Sequence, residues 1–251
     1  MHRQIMKLLF LLMCLSLAKN SVAEQFIWGA DYEPYYADFN NDGTLDLLLQ
    51  SKSNENEHVL VIGELVDNRV TYPSENMRLL PRTISGHPWA HGLASLIVGD
   101  FNADNINDVF IVFHDLSLAY TLLGDAKGVH FSFEPNLSYS SEGFSWLDRK
   151  NDYDIYLGDF NGNKHSDLLA ISKSNHKHIL MHSDEKGQFH VTQEIKGNMK
   201  WGKNRADSLY IADYNNDGTD DVLAITKKKN GNNFIIFTDH EGFFSKKNIQ
   251  D

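Results

Sequence analysis

An acidic nine-residue loop of the form D-x-[DN]-x-[DN]-x-x-x-D recurs four times along this chain, each copy between two apolar runs. The copies are DFNNDGTLD at 38–46, DFNADNIND at 100–108, DFNGNKHSD at 159–167 and DYNNDGTDD at 213–221. Their first residues lie 62, 59 and 54 positions apart, a period that marks a repeat architecture in which each unit is one supersecondary module. The second unit contains four β-rich runs, at 95–99, 108–113, 118–123 and 129–133. The fourth unit matches it with runs at 209–212, 222–226, 233–237 and 243–245. Four short strands per repeat predict an all-β chain built as a β-propeller of about four four-stranded blades. Their expected limits are 26–83, 84–142, 143–197 and 198–251. A closed ring is the preferred arrangement because closure removes exposed sheet edges; an open arc, or two chains completing a larger ring, are the alternatives.

The loops predict a metal. Oxygen side chains at positions 1, 3, 5 and 9 converge when glycine or asparagine bends the backbone at position 6, and an all-oxygen cage suits a hard divalent cation such as calcium. The candidate ligand sets are Asp38, Asn40, Asp42, Thr44 and Asp46; Asp100, Asn102, Asp104, Ile106 and Asp108; Asp159, Asn161, Asn163, His165 and Asp167; and Asp213, Asn215, Asp217, Thr219 and Asp221. Up to four structural Ca2+ ions follow. The third loop is the weakest, since Asn163 replaces a carboxylate and Lys164 stands at the bend. An EF-hand is excluded: loop position 12 is Leu49, Ile111, Ala170 or Ala224 where that motif needs a bidentate Glu, and β-branched runs replace its helices.

These residues resemble the FG-GAP/VCBS-type repeats of integrin-like propellers, whose calcium loops join the first two strands of a blade. The resemblance covers essentially the whole chain after its first segment, although the Phe-Gly and Gly-Ala-Pro elements of the family name are not legible. It implies a calcium-binding propeller acting as a binding module.

The first residues read as an export signal. Arg3 and Lys7 precede an apolar stretch from Leu8 to Leu17, and Ser21-Val22-Ala23 fits a cleavage site before Glu24, so 1–23 is expected to be a signal peptide and 24–251 the propeller. The product is then periplasmic or secreted. Cys14, the single cysteine, falls inside the leader, and no later run approaches a membrane span. The chain carries 23 Lys+Arg against 34 Asp+Glu; without the leader's Arg3, Lys7 and Lys19 the balance is 20 − 34 = −14. Such acidity argues against nucleic acid as a partner.

One tryptophan falls in each unit, at Trp28, Trp89, Trp146 and Trp201, 10, 11, 13 and 12 residues before the loop aspartate. This places them at the ends of the blades opposite the calcium loops. A residue recurring in phase is more often core, wedged between sheets, than a platform for stacking. If two are exposed, Trp146 with Arg149 and Trp201 with Arg205 are the candidate ligand-binding pairs for a protein or glycan, because polar residues follow both. His176 and His178 read as solvated residues flanking a turn, and His87 and His91 lack the helix and Glu of a zinc site. No catalytic constellation emerges. The expected function is therefore a non-enzymatic binding module, possible as a homodimer if the ring is open. A lyase-like polysaccharide-active enzyme and a component of an exported toxin or RHS-type assembly are the alternatives.

Overall fold

The computed structural model describes residues 31–114, 116, 118–125, 138–139, 153–173, 177–196, 208–225, 233–239 and 241–250. Among them the regular structure is all-β apart from a 3-10 turn at Ser74–Asn76. In chain order the strands are β1 (Tyr32–Ala37), β2 (Asp46–Ser51), β3 (His58–Val61), β4 (Glu64–Val66), β5 (Arg69–Thr71), β6 (Met77–Leu80), β7 (Thr83–Ile84), β8 (His87–Pro88), β9 (Ala94–Gly99) and β10 (Asp108–Phe113). They continue as β11 (Leu118–Leu122), β12 (Ser138–Tyr139), β13 (Tyr153–Gly158), β14 (Asp167–Ser172), β15 (Lys177–Ser183), β16 (Phe189–Lys196), β17 (Ser208–Ala212), β18 (Asp221–Ile225), β19 (Phe234–Thr238) and β20 (Phe244–Gln250).

Four four-stranded antiparallel sheets result, ordered β1-β2-β3-β6, β9-β10-β11-β12, β13-β14-β15-β16 and β17-β18-β19-β20. Each is a meander, and each acidic loop joins its first two strands. The fourth strand of the second sheet is β12, while the expected run at 129–133 lies outside the described residues. The first sheet carries an insertion that the pattern did not announce, the exposed hairpin β4-β5, turned by Asp67 (φ 49°) and Asn68 (φ 64°). Two consecutive positive φ values suit the right-handed twist of a two-residue hairpin.

Strand alternation sends one face of each sheet toward its predecessor and the other toward its successor. Leu48 and Leu60 of the first sheet meet Val109 and Ile111 of the second; Phe110 and Val112 meet Leu168 and Ala170; Leu169 and Leu180 meet Val222 and Ile236. The aromatic at loop position 2 wedges into each of these cores: Phe39 is 2% exposed, and Phe101 and Phe160 are 0% exposed. Turns add polar ties between sheets. Thr121 Oγ1 donates to the Gly187 carbonyl at 3.0 Å, and His182 Nε2 to the Gly242 carbonyl at 3.2 Å. Glycine is required at the second of these turns, where φ is +76° and a Cβ would stand 2.7 Å from the His182 ring.

The outer face of the fourth sheet is less buried than its counterparts. Tyr214, the position-2 counterpart of the three buried phenylalanines, is 38% exposed, and Leu223 is half-buried where its counterparts Leu48, Phe110 and Leu169 are fully buried. No sheet among the described residues closes on itself, and the closed ring of four remains an expectation of the sequence pattern.

Candidate metal loops and the opposite end of the sheets

All four loops share one backbone. Positions 4 and 6 have positive φ in each: Asn41 and Gly43, Ala103 and Asn105, Gly162 and Lys164, Asn216 and Gly218. The bend at position 6 was expected; the second at position 4 was not, because residues as different as Asn, Ala and Gly occupy it. Lys164 takes the left-handed conformation at φ 70°, where a side chain is strained.

The shared path nests the side-chain oxygens. The position-5 N–H points at the oxygens of positions 1 and 3 together: Asp42 N donates to Asp38 Oδ1 at 3.2 Å and to Asn40 Oδ1 at 3.1 Å. The same fork recurs at Asp104 with Asp100 and Asn102, at Asn163 with Asp159 and Asn161, and at Asp217 with Asp213 and Asn215. The position-6 N–H donates to the other oxygen of position 1, at 2.8, 2.9, 2.7 and 2.9 Å in chain order. Position 5 accepts from the backbone of position 7, that is from Thr44, Ile106, His165 and Thr219.

Position 9 has a separate task. Asp46, Asp108, Asp167 and Asp221 each open the second strand of their sheet and are wholly buried. One oxygen accepts the position-2 N–H, from Phe39, Phe101, Phe160 or Tyr214, and the other accepts an N–H just past or at the end of the third strand, from Gly63, Gly124, Ser183 or Thr238. The carboxylate thus pins loop to sheet. Burial drives its pKa up, to about 6 for Asp46 and about 7 for Asp108 and Asp167, against the lowering effect of these donors; Asp221 moves the same way. Among the described residues no three His, Cys, Asp or Glu side chains close up as a metal-holding group. The donor set nevertheless suits a hard cation, since oxygens of positions 1 and 3 meet at one point and the side chains at positions 1, 3 and 5 all carry an oxygen donor.

The loops also touch one another. Asn107, Ser166 and Asp220, each at position 8, donate their N–H to the position-1 carbonyl of the preceding loop, Asp38, Asp100 and Asp159, at 3.1, 2.7 and 2.7 Å. Asp220 adds its carboxylate, which accepts Asp159 N at 2.8 Å. One hydrogen-bonded row thereby runs along the end of all four sheets.

At the opposite end, Trp89 is core: it is 1% exposed, its Nε1 donates to the Pro81 carbonyl at 2.7 Å, and its ring stacks on His58 at 3.5 Å. The other three tryptophans, Arg149 and Arg205 lie outside the described residues. His178 corrects the expectation of a solvated residue. It is 2% exposed, and its Nδ1 accepts Ser172 N, as His58 Nδ1 accepts Ser51 N in the first sheet. In both sheets the imidazole satisfies an N–H at the end of the second strand. A pair with no local sequence signal appears nearby: His114 Nδ1 donates to the Gly92 carbonyl at 3.1 Å, leaving Nε2 to accept Ser95 Oγ at 2.7 Å. Nineteen residues separate the two, and only the β9-β10 register brings them together.

Comparison with known proteins agrees with this picture. Residues 159–224, from the third loop into β18, match the model of the FG-GAP-like repeat. This chain carries an FG-GAP-like repeat. No curated protein matches it in sequence. Among solved structures, a lectin of Agrocybe aegerita, described as recognising non-reducing terminal N-acetylglucosamine, superposes with a TM-score of 0.64 at 16% identity, over 89% of this chain and 52% of that one. The FG-GAP-type chain thus shares the lectin's fold while spanning about half its length. No helix among the described residues is long and apolar enough to cross a membrane.

Proposed function

We propose that this FG-GAP-type chain is an exported, propeller-like binding module whose acidic loops hold structural calcium and whose ligand, a glycan first and a protein second, is bound away from those loops. The observation that carries the reading is the fourfold identity of the loops, in which the oxygens of positions 1 and 3 converge on the same backbone N–H. These oxygens satisfy the N–H groups of their own turn, and the same gathering of carboxylate and amide oxygens gives a cation its ligands. The Asp38, Asp100, Asp159 and Asp213 sets would hold the ion, which would neutralise the acidic row. Likeness to a lectin supports a glycan as the first ligand class to test. A glycan array that includes terminal N-acetylglucosamine probes, run with calcium and with chelator, tests it. Binding that needs calcium is expected; an array blank under both conditions, with the protein folded, overturns the glycan reading.

A further inference from the structure

We propose that Asn161, at position 3 of the third loop, is a site of spontaneous deamidation, the one position-3 asparagine of the four whose loop leaves its amide ready to be lost as ammonia. The sequence supplies the first condition: Asn161 precedes Gly162, whereas Asn40, Asn102 and Asn215 precede Asn41, Ala103 and Asn216. The residue after an asparagine reacts by turning its backbone nitrogen on the side-chain carbonyl carbon, and glycine, with no Cβ, obstructs that approach least. Loop geometry supplies the other conditions. In the other three loops the position-3 Nδ2 donates to the position-5 carboxylate, Asn40 to Asp42 at 2.8 Å, Asn102 to Asp104 at 3.0 Å and Asn215 to Asp217 at 2.8 Å. Loop three has Asn163 there, whose Oδ1 accepts His165 N at 2.8 Å and whose Nδ2 turns to the Ser183 carbonyl. Among the described residues the Asn161 amide nitrogen has no acceptor.

The remaining groups are set for the reaction. Asn163 N donates to Asn161 Oδ1 at 3.1 Å, which draws electrons from the carbonyl carbon and steadies the oxygen as negative charge builds on it. Gly162 is exposed and sits at φ +74°, and its N–H makes no hydrogen bond among the described residues, so solvent hydroxide can take its proton. The Gly162 nitrogen then bonds to Asn161 Cγ, the Cγ–Nδ2 bond breaks, and Nδ2 leaves as ammonia with a proton from water. Water reopens the cyclic imide at either carbonyl, leaving an aspartyl or isoaspartyl residue at 161. The loop gains a carboxylate. Unmodified, it has only Asp159 and Asp167 where the first two loops have three acids each, so the aspartyl product equals them in charge. On the calcium reading proposed above, that charge falls at a ligand position.

Peptide mapping by mass spectrometry decides this, after the folded protein has stood in mildly alkaline buffer with chelator, which frees the outcome from the calcium reading. Conversion at Asn161 several-fold faster than at Asn40, Asn102 and Asn215 is expected. Asn163→Asp gives loop three the position-5 carboxylate of the other loops, and Gly162→Asn gives it the position-4 residue of the first and fourth. Each is expected to slow conversion at 161 several-fold, with circular dichroism and thermal melts confirming that the variants fold. Asn230-Gly231, the other Asn-Gly pair of the chain, is scored separately on its own peptide. The protein unfolded in urea is the reference for an unconstrained chain. An Asn161 that keeps its amide in the folded protein while converting in the unfolded one would overturn the proposal. So would an unchanged rate in either variant, or conversion at the other three position-3 asparagines as fast as at Asn161.

Discussion

At the residue scale, the loop aspartates divide into two kinds that the sequence pattern writes with the same letter. Asp104 is exposed and bonded within its own loop, whereas Asp108 is buried and accepts Phe101 N at 2.9 Å and Gly124 N at 2.8 Å. Removing a buried acceptor strands its donors at about 1–3 kcal/mol each. In chelator, Asp108→Ala is therefore expected to lower unfolding free energy by several times the loss in Asp104→Ala; urea titration measures both. In calcium the gap should narrow, because Asp104→Ala then also loses ion affinity. Equal losses in chelator would mean that position 9 is no more structural than position 5. The histidines give a pH dependence with a defined sign. Burial lowers the pKa of His58 to about 4, so the folded state resists a proton that the unfolded chain accepts near its ordinary value. The contribution of neutral His58 is complete above about pH 6.5 and drains away between there and about pH 4. Asp46, Asp108 and Asp167 act oppositely: their raised values favour the folded state most in acid, and that contribution is lost as pH rises through about 6 to 7. The His58 effect is isolated by comparison with His58→Gln, against which the unsubstituted protein should lose melting temperature as pH falls from 6.5 to 4. Parallel curves would show that His58 does not control this window.

At the element scale, the unit is the loop with its two flanking strands. Calcium at ten times its dissociation constant contributes about 1.4 kcal/mol per occupied site, so the melting temperature should rise with calcium and fall with chelator. The increment, calcium minus chelator, is expected to shrink more in Asp38→Ala and Asp213→Ala than in Asp159→Ala. The third loop offers Asn163 in place of a carboxylate and strains Lys164 at φ 70°. Equal increments across the three variants would place loop three on a par with the others. These loops, and the strands beside them, were legible because a fixed 1-3-5-9 pattern between alternating apolar runs leaves little choice of local structure. Less of the rest was legible. Positive φ at position 4 has no residue signature when Asn, Ala and Gly all adopt it, and the row from Asn107, Ser166 and Asp220 to the preceding loops uses backbone atoms that any residue provides. The burial of His178 escaped notice because polar neighbours suggested a turn, while the register of β14 and β15 carried it inside.

At the scale of the molecule, three of the four buried clusters among the described residues lie between successive sheets, so much of the stability is set between neighbours, as in other repeat proteins. Repeat number and strand count followed from the period. Whether the stack closes did not, because closure depends on the angle between sheets and not on their composition. The position-2 aromatics report that angle directly. Phe101 is fully buried between the second and third sheets, where it meets Phe189 edge-on at 5.0 Å and Phe110 at 6.5 Å. Phe101→Ala should cost about 3–5 kcal/mol, the range for removing a core aromatic. Tyr214→Ala occupies the same loop position on the same backbone, but its ring is 38% exposed, so the protein should lose well under about 1 kcal/mol, as expected for a surface change. Urea unfolding measures both. A Tyr214→Ala loss as large as that of Phe101→Ala would show that the fourth sheet is covered as the others are, as a closed ring requires.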